Sequence, residues 1–152
     1  MLKLSLIGVL LVVVTVAIHA VGTTWWVRVL GHRYRPESSH TLAKESLRVL
    51  AGTAMVLVLL HAIQIAIWAI SYKALVPEGE LPNFEAAAYF SFVTFTTLGY
   101  GDITLSEGWR LLSGIQALNG ILLVGWSTAV LFATVQRIWQ GLLTSKVPTG
   151  QP

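Results

Sequence analysis

Apolar residues in this chain gather into three long, nearly uncharged runs, with the polar residues between them. The first run, Leu4 to Trp26, has no charge between Lys3 and Arg28. The second, Leu47 to Tyr72, carries only Arg48 at its start, and the third, Leu111 to Trp139, is broken only by Arg137 near its end. Each exceeds the roughly 20 residues that a helix needs to cross a hydrocarbon core of about 30 Å. None shows the alternation of a barrel strand. Backbone groups in lipid must find partners within their own segment, so all three runs are expected as membrane-spanning helices.

The stretch between the second and third runs, residues 73–110, reads differently. It opens with the turn-rich Val76 to Asn83. Phe84 to Thr96 then reads as a short helix, with Asn83 as its N-cap and Glu85 in the first turn. About 13 residues are too few to span, so this segment is expected to enter the membrane and return on the same side.

Composition agrees. Hydrophobic residues make up 55% of the 152 and charged residues 11%, where a soluble domain carries about 25% charged. With mean hydropathy at +0.70, a chain this small cannot hide its apolar surface in a water-soluble core. The lack of cysteine excludes disulfides, thiolate metal sites and a cysteine nucleophile. No nucleophile, base or metal-ligand cluster converges, and no nucleotide-binding fingerprint appears. Neither an enzyme nor a bound cofactor is expected.

The formal charge of +3 matters less than where the charges lie, and no nucleic-acid partner is expected. Arg28, Arg33, Arg35, Lys44 and Arg48 between the first two runs, with Arg137 and Lys146 beyond the third, make seven cations on one side. Lys3, Lys73 and Arg110 make three on the other. The richer side is expected to be cytoplasmic. The acids Glu78, Glu80, Glu85, Asp102 and Glu107 fall on the opposite side, leaving only Glu37 and Glu45 inside. The N-terminus is thus expected outside and the C-terminus inside, in the plasma membrane. The alternative, a cleaved signal peptide at the N-terminus, lacks a clean small-residue site near Ala20.

After the short helix comes Thr96-Thr97-Leu98-Gly99-Tyr100-Gly101-Asp102. It resembles the selectivity filter of tetrameric potassium channels, whose signature is Thr-Val-Gly-Tyr-Gly, usually followed by Asp. Potassium leaving its hydration shell needs successive carbonyls aimed at one axis, whereas a strand alternates them. Glycine at alternate positions can undo the alternation through positive φ, and Gly99 and Gly101 are spaced for that. The resemblance implies potassium ions at the carbonyls of Thr97, Leu98, Gly99 and Tyr100, with the Thr97 hydroxyl innermost, Gly101 completing the filter and Tyr89, Thr96 and Asp102 supporting it. Leu98 replaces the usual Val or Ile, and Val93 stands where some members have glutamate. On the residues alone, Gly-Tyr-Gly-Asp is also compatible with a turn between two membrane elements.

The apolar runs and charges set off an N-terminal transmembrane helix at 1–27, a basic loop at 28–46 and a cytoplasmic tail at 140–152, and the resemblance covers the pore domain between them at 47–139. Within the pore domain it implies an outer helix at 47–72, a pore helix at 84–96, the filter at 97–102 and an inner helix at 111–139. Gly120 falls where the family often has a gating hinge, with helix packing as the alternative. Gly125 matches a second small position read as packing, and Ile121, Val124 and Thr128 should face the cavity. Tyr89 is placed to donate its hydroxyl to Asp102, and Phe90 to pack. One filter segment cannot enclose an ion, so a homotetramer in the bilayer is implied.

The rival readings are a weakly selective cation channel and a non-conducting regulatory subunit. The first helix lies outside the resemblance; packing outside the pore, gating it and binding an unknown partner all remain open. His19, His61, Gln64 and Asn119 are polar residues within the spans and therefore candidate functional groups. Either histidine is a conceivable proton sensor, or a neutral imidazole bonded to a neighbouring helix. No run of arginines at every third position marks a voltage sensor.

Overall fold

A computed structural model describes residues 2–33 and 39–144, with side chains described at 2–31 and 44–140. Four helices make up the fold: α1 (Leu2–Arg33), α2 (Ser39–Leu75), α3 (Phe84–Phe95) and α4 (Glu107–Thr144). The described residues contain no strand. Leu2–Gly31, Lys44–Leu75 and Glu107–Gln140 are each long and apolar enough to cross a membrane, and α3 is the short apolar helix between the last two. The architecture is all-α and that of a membrane protein.

The long helices run past the apolar runs that seeded them. α1 continues to Arg33 and α2 begins at Ser39, so most of the basic loop expected at 28–46 is helical. Lys, Arg and Glu are good helix formers, and a helix that has left the lipid hydrates them freely. Arg35 and Glu37 lie outside the described residues, as does the tail from 145 with Lys146. α4 starts four residues before Leu111 and ends at Thr144. At about 1.5 Å per residue it is about 57 Å long, so it tilts in a bilayer or projects from it.

Local chemistry fixes the short helix. Asn83 is extended (φ −139°, ψ 173°) and accepts from the Ala86 amide at 2.8 Å, the bond of an N-cap. At the start of α4, the Glu80 carboxylate accepts from the Ser106 amide and hydroxyl, both at 2.8 Å. That bond ties the turn before α3 to the first turn of α4.

Packing concentrates at one end of the fold, where α2, α3 and α4 meet. Trp68, Tyr72, Leu81, Ala87, Phe90 and Leu112 are buried there, and Tyr72 meets Phe90 edge to face at 5.1 Å. Such pairs add about 0.5–1.5 kcal/mol beyond area burial. α3 is braced on both sides: Ser91 donates to the Ile65 carbonyl at 2.8 Å, and Gln116 Nε2 donates to the Ser91 hydroxyl at 2.8 Å and carbonyl at 3.1 Å.

α1 packs on α2 and α4 and makes no contact with α3. It approaches closely at small residues: a Cβ on Gly22 would stand 2.6 Å from a Leu60 methyl, and one on Gly8 would stand 2.8 Å from Ile115. Such contacts are how spans associate where lipid removes the hydrophobic drive. In the most apolar windows of the three spans only 17%, 33% and 28% of residues are buried. Most of their apolar surface is thus left uncovered by this chain.

Candidate functional site

The site begins where α3 ends. Thr96 caps the helix with αR backbone (φ −80°, ψ −3°), and its amide donates to the Phe92 carbonyl. The Thr97 amide donates to Thr94 and the Leu98 amide to Val93, each at 3.0 Å. These two bonds make a Schellman closure, whose pivot residue takes left-handed backbone and is usually glycine. Here the pivot is Thr97, at φ 59°. A β-branched residue in that region is an outlier, and such strain, of order 1–3 kcal/mol, persists where the surroundings over-determine it.

The left-handed backbone then recurs at every second residue. Thr97, Gly99 (φ 54°) and Gly101 (φ 79°) have positive φ, and Leu98 and Tyr100 do not. Sequence reasoning anticipated the two glycines and missed Thr97, where propensity argues against a left-handed angle. An ordinary strand points successive carbonyls to opposite sides; alternating the sign of φ is the way to bring them to one side. Leu98 and Tyr100 are 53% and 66% exposed, so within this chain nothing covers the apolar side chains of the segment.

Two hollows flank the segment. One of about 430 Å³ lies on the side of Tyr89, Asp102 and Thr104, with Arg110 at its wall. Across it Tyr89 Oη donates to Asp102 Oδ2 at 2.7 Å, the pairing expected from the sequence. That bond, with help from the backbone amides of Ile103 and Asp102 and against partial desolvation, holds the Asp102 carboxyl below the usual carboxylate range. The same bond, aided by desolvation and the Asp102 charge, pushes the Tyr89 phenol above its ordinary range. Thr96 turns its hydroxyl back to the Phe92 carbonyl at 2.8 Å, as a helix cap. Phe90 packs in the core and Val93 is buried beside it in the chain.

The second hollow, of about 310 Å³, is walled by Phe95, Thr96 and Thr97 above and by Gly120, Ile121, Val124 and Gly125 of α4 below. Ile121 and Val124 are exposed towards it, in the place expected of cavity-lining residues. Thr128 is exposed one turn further along α4 and does not line it; its hydroxyl bonds the Val124 carbonyl at 3.0 Å.

Gly120 and Gly125 of α4 differ in their surroundings, and Gly120 takes the packing alternative. A Cβ on Gly120 would overlap the Phe95 carbonyl oxygen and stand 2.8 Å from the carbonyl carbon. The close approach of α4 to the end of α3 is therefore enough to require glycine there. Gly125, expected to pack, has nothing within 4 Å of such a Cβ. The polar span residues also find partners: Asn119 Nδ2 donates to Thr15 Oγ1 at 2.8 Å. His19 and His61 both meet Ser127. Thr15 and Ser127 were not legible as partners, since small hydroxyl residues are ordinary in membrane helices.

In comparison with known proteins, a family described as ion channel matches residues 55–137. That stretch holds most of α2, all of α3, the strained segment and most of α4. No curated protein and no solved structure matches the chain.

Proposed function

The chain belongs to the ion-channel family, and from that premise we propose that it is the pore subunit of a potassium-selective channel acting as a homotetramer. The observation that carries the reading is the alternation of left-handed backbone at Thr97, Gly99 and Gly101, directly after a helix that ends on them. Carbonyls brought to one side replace the hydration shell of a bare cation. Thr97, Leu98, Gly99 and Tyr100 supply them, with Gly101 closing the outer end. The C-terminal end of α3 adds its partial negative charge beside the same path.

A single segment offers oxygens on one side only, and a cation needs them all round. Four copies about an axis meet that need, and closed symmetry favours identical subunits. The exposed Leu98 and Tyr100 side chains then gain neighbours, and the hollow under Thr97 becomes one quarter of a central cavity. Potassium is the permeant ion rather than a cofactor, and conduction involves no chemical step. The distribution of Arg and Lys supports a plasma-membrane protein with its N-terminus outside and its C-terminus cytoplasmic.

The test is flux from the purified protein in liposomes, followed by reversal potentials under opposed potassium and sodium gradients. Potassium should be preferred by well over about tenfold, as carbonyl coordination implies. A reversal potential near zero would favour the weakly selective cation channel, and absence of flux the non-conducting subunit.

A further inference from the structure

A polar cluster lies mid-span, away from the filter segment, and joins α1 to α2 and α4. His19 and Gln64 are fully buried, Ser127 nearly so, and His61 partly. The two imidazoles stack with centroids 5.4 Å apart.

Gln64 fixes the protons. Its Oε1 only accepts, so His61 Nδ1, 3.2 Å away, carries a hydrogen. Its Nε2 only donates, so His19 Nδ1, at 3.1 Å, is bare. A neutral His19 then donates from Nε2 to Ser127 Oγ at 3.3 Å. A neutral His61 accepts at Nε2 from the same hydroxyl at 2.9 Å. The four bonds close a ring. Turning the Gln64 amide over would reverse the ring, but Nε2 also reaches the Thr15 carbonyl at 3.4 Å, where an amide oxygen would be repelled.

A further proton can enter this ring at one place. On His19 Nδ1 it would face the Gln64 amide hydrogens. On His61 Nε2 it meets Ser127 Oγ, which can turn its own hydrogen to a carbonyl one helical turn back and accept from both imidazoles. His61 also lines a cavity of about 370 Å³, and three of that cavity's walls, Phe95, Thr96 and Val124, are also walls of the hollow beneath the filter segment. The Phe95 ring stands 5.6 Å from His61.

We infer that His61 is a proton-binding site which, when filled, depresses conduction through the adjacent pore. Its readout in flux rests on the proposed channel function; the site itself does not. No carboxylate faces the imidazolium among the described residues. α1 presents His19, α3 presents Phe95, and α4 presents Ser127 and Trp126, the last 5.5 Å from His19. Glu85 on α3 and Glu107, Arg110 and Arg137 on α4 lie at least two helical turns away along their helices. An uncompensated positive charge in a low-dielectric wall repels cations from the hollow behind it. The ring also gives α1 a role in the pore, since His19 holds the Gln64 and Ser127 groups that set where the proton goes.

Nitrogen NMR of histidine-labelled protein in bilayers reads the ring without any need for conduction. At alkaline pH it should show His19 with hydrogen on Nε2 and His61 with hydrogen on Nδ1. Between about pH 7 and about pH 4, where an imidazole without a counter-charge takes its proton, His61 should become doubly protonated while His19 keeps its tautomer. Over the same range flux should fall several-fold, and His61→Gln should abolish that fall. Gln64→Glu, which sets a carboxylate against the ring at nearly the same volume, should move the fall to higher pH by about one unit or more; it serves equally if His61→Gln does not fold. The inference is overturned if His61 stays neutral to about pH 4, if His19 takes the proton first, or if the fall in flux persists in His61→Gln. A protein that shows the NMR transition but carries no potassium would sink the proposed function and leave the proton site standing.

Discussion

Replacing Gly120 by alanine tests the contact on which the site is built. The added methyl would overlap the Phe95 carbonyl oxygen and lie 2.8 Å from its carbonyl carbon and 3.1 Å from its Cα. All three are backbone atoms in the last turn of α3, where the adjacent turns are closed by the bonds to Phe92, Val93 and Thr94, so no side-chain rotation relieves the clash. Overpacking of this kind costs about 1–3 kcal/mol, and rigid neighbours put it at the upper end. Alanine returns up to about 1 kcal/mol of helix stability. The net is about 2 kcal/mol per subunit, or about 8 kcal/mol over the four copies of the proposed tetramer. Gly125→Ala is the matched control, with nothing within 4 Å of the new carbon and only the helical gain expected. The assay is the midpoint for loss of the assembled form on heating, read by size-exclusion chromatography, with potassium flux on the unheated protein. Gly120→Ala should melt several degrees lower and lose flux, because α3 and Thr97 must move. Equal or higher stability than Gly125→Ala would refute the close-contact reading and return Gly120 to the role of a hinge.

Two further outcomes follow from the segment after α3. Gly99→Ala places a side chain at φ 54° with no atom nearer than 4.0 Å, so its penalty is backbone strain of about 1–2 kcal/mol rather than collision. Flux should be lost while the assembled form remains, and unchanged flux and selectivity would argue against these carbonyls as the conduction path. Tyr89→Phe removes the bond that lowers the Asp102 carboxyl and raises the Tyr89 phenol. A lowered carboxyl contributes above its ordinary range and loses that contribution as pH falls through the lowered value. A raised phenol contributes below its ordinary range and loses that as pH rises through the raised value. The contribution of this pair should therefore be constant from about pH 5 to about pH 9. The variant should be less stable across that range and lose less on acidification; an equal acid loss in both would deny the bond its role.

The spans and the short helix between them were legible because their causes are local. Uncharged runs of sufficient length specify spanning helices, and Asn83 with Glu85 marks the start of α3. Gly99 and Gly101 announce their backbone, and Tyr89 and Asp102 their pairing. Features that depend on approach between distant segments were not legible. Gly120 reads alike as hinge or contact until the end of α3 is seen resting on it. Nothing about Thr97 signals a left-handed angle, since its conformation is imposed by the closing turn of α3. Thr15 and Ser127 become informative only once Asn119 and the two histidines are brought against them. Helix ends were misjudged where hydropathy was the guide, because charged residues such as Arg28, Lys44 and Arg110 continue a helix beyond the apolar run.

The bond from Asn119 to Thr15, spanning 104 positions of sequence, bears on how the chain is made. A ribosome delivers the three spans in order, and the mean hydropathies of their most apolar stretches descend as they emerge, from 2.7 to 2.1 to 1.7. α1 can partition into a bilayer readily on its own. α4 arrives last and least apolar, bringing Gln116, Asn119 and Ser127, each of which costs free energy in bare lipid. By then α1 is in place, with the Thr15 hydroxyl and His19 able to receive two of the three, and α3 with Ser91 able to receive the other. α1 thus holds partners for polar groups of the helix that lines the hollow. A chain shortened to the family-matched segment would deliver α4 to the membrane with Asn119 and Ser127 deprived of those partners.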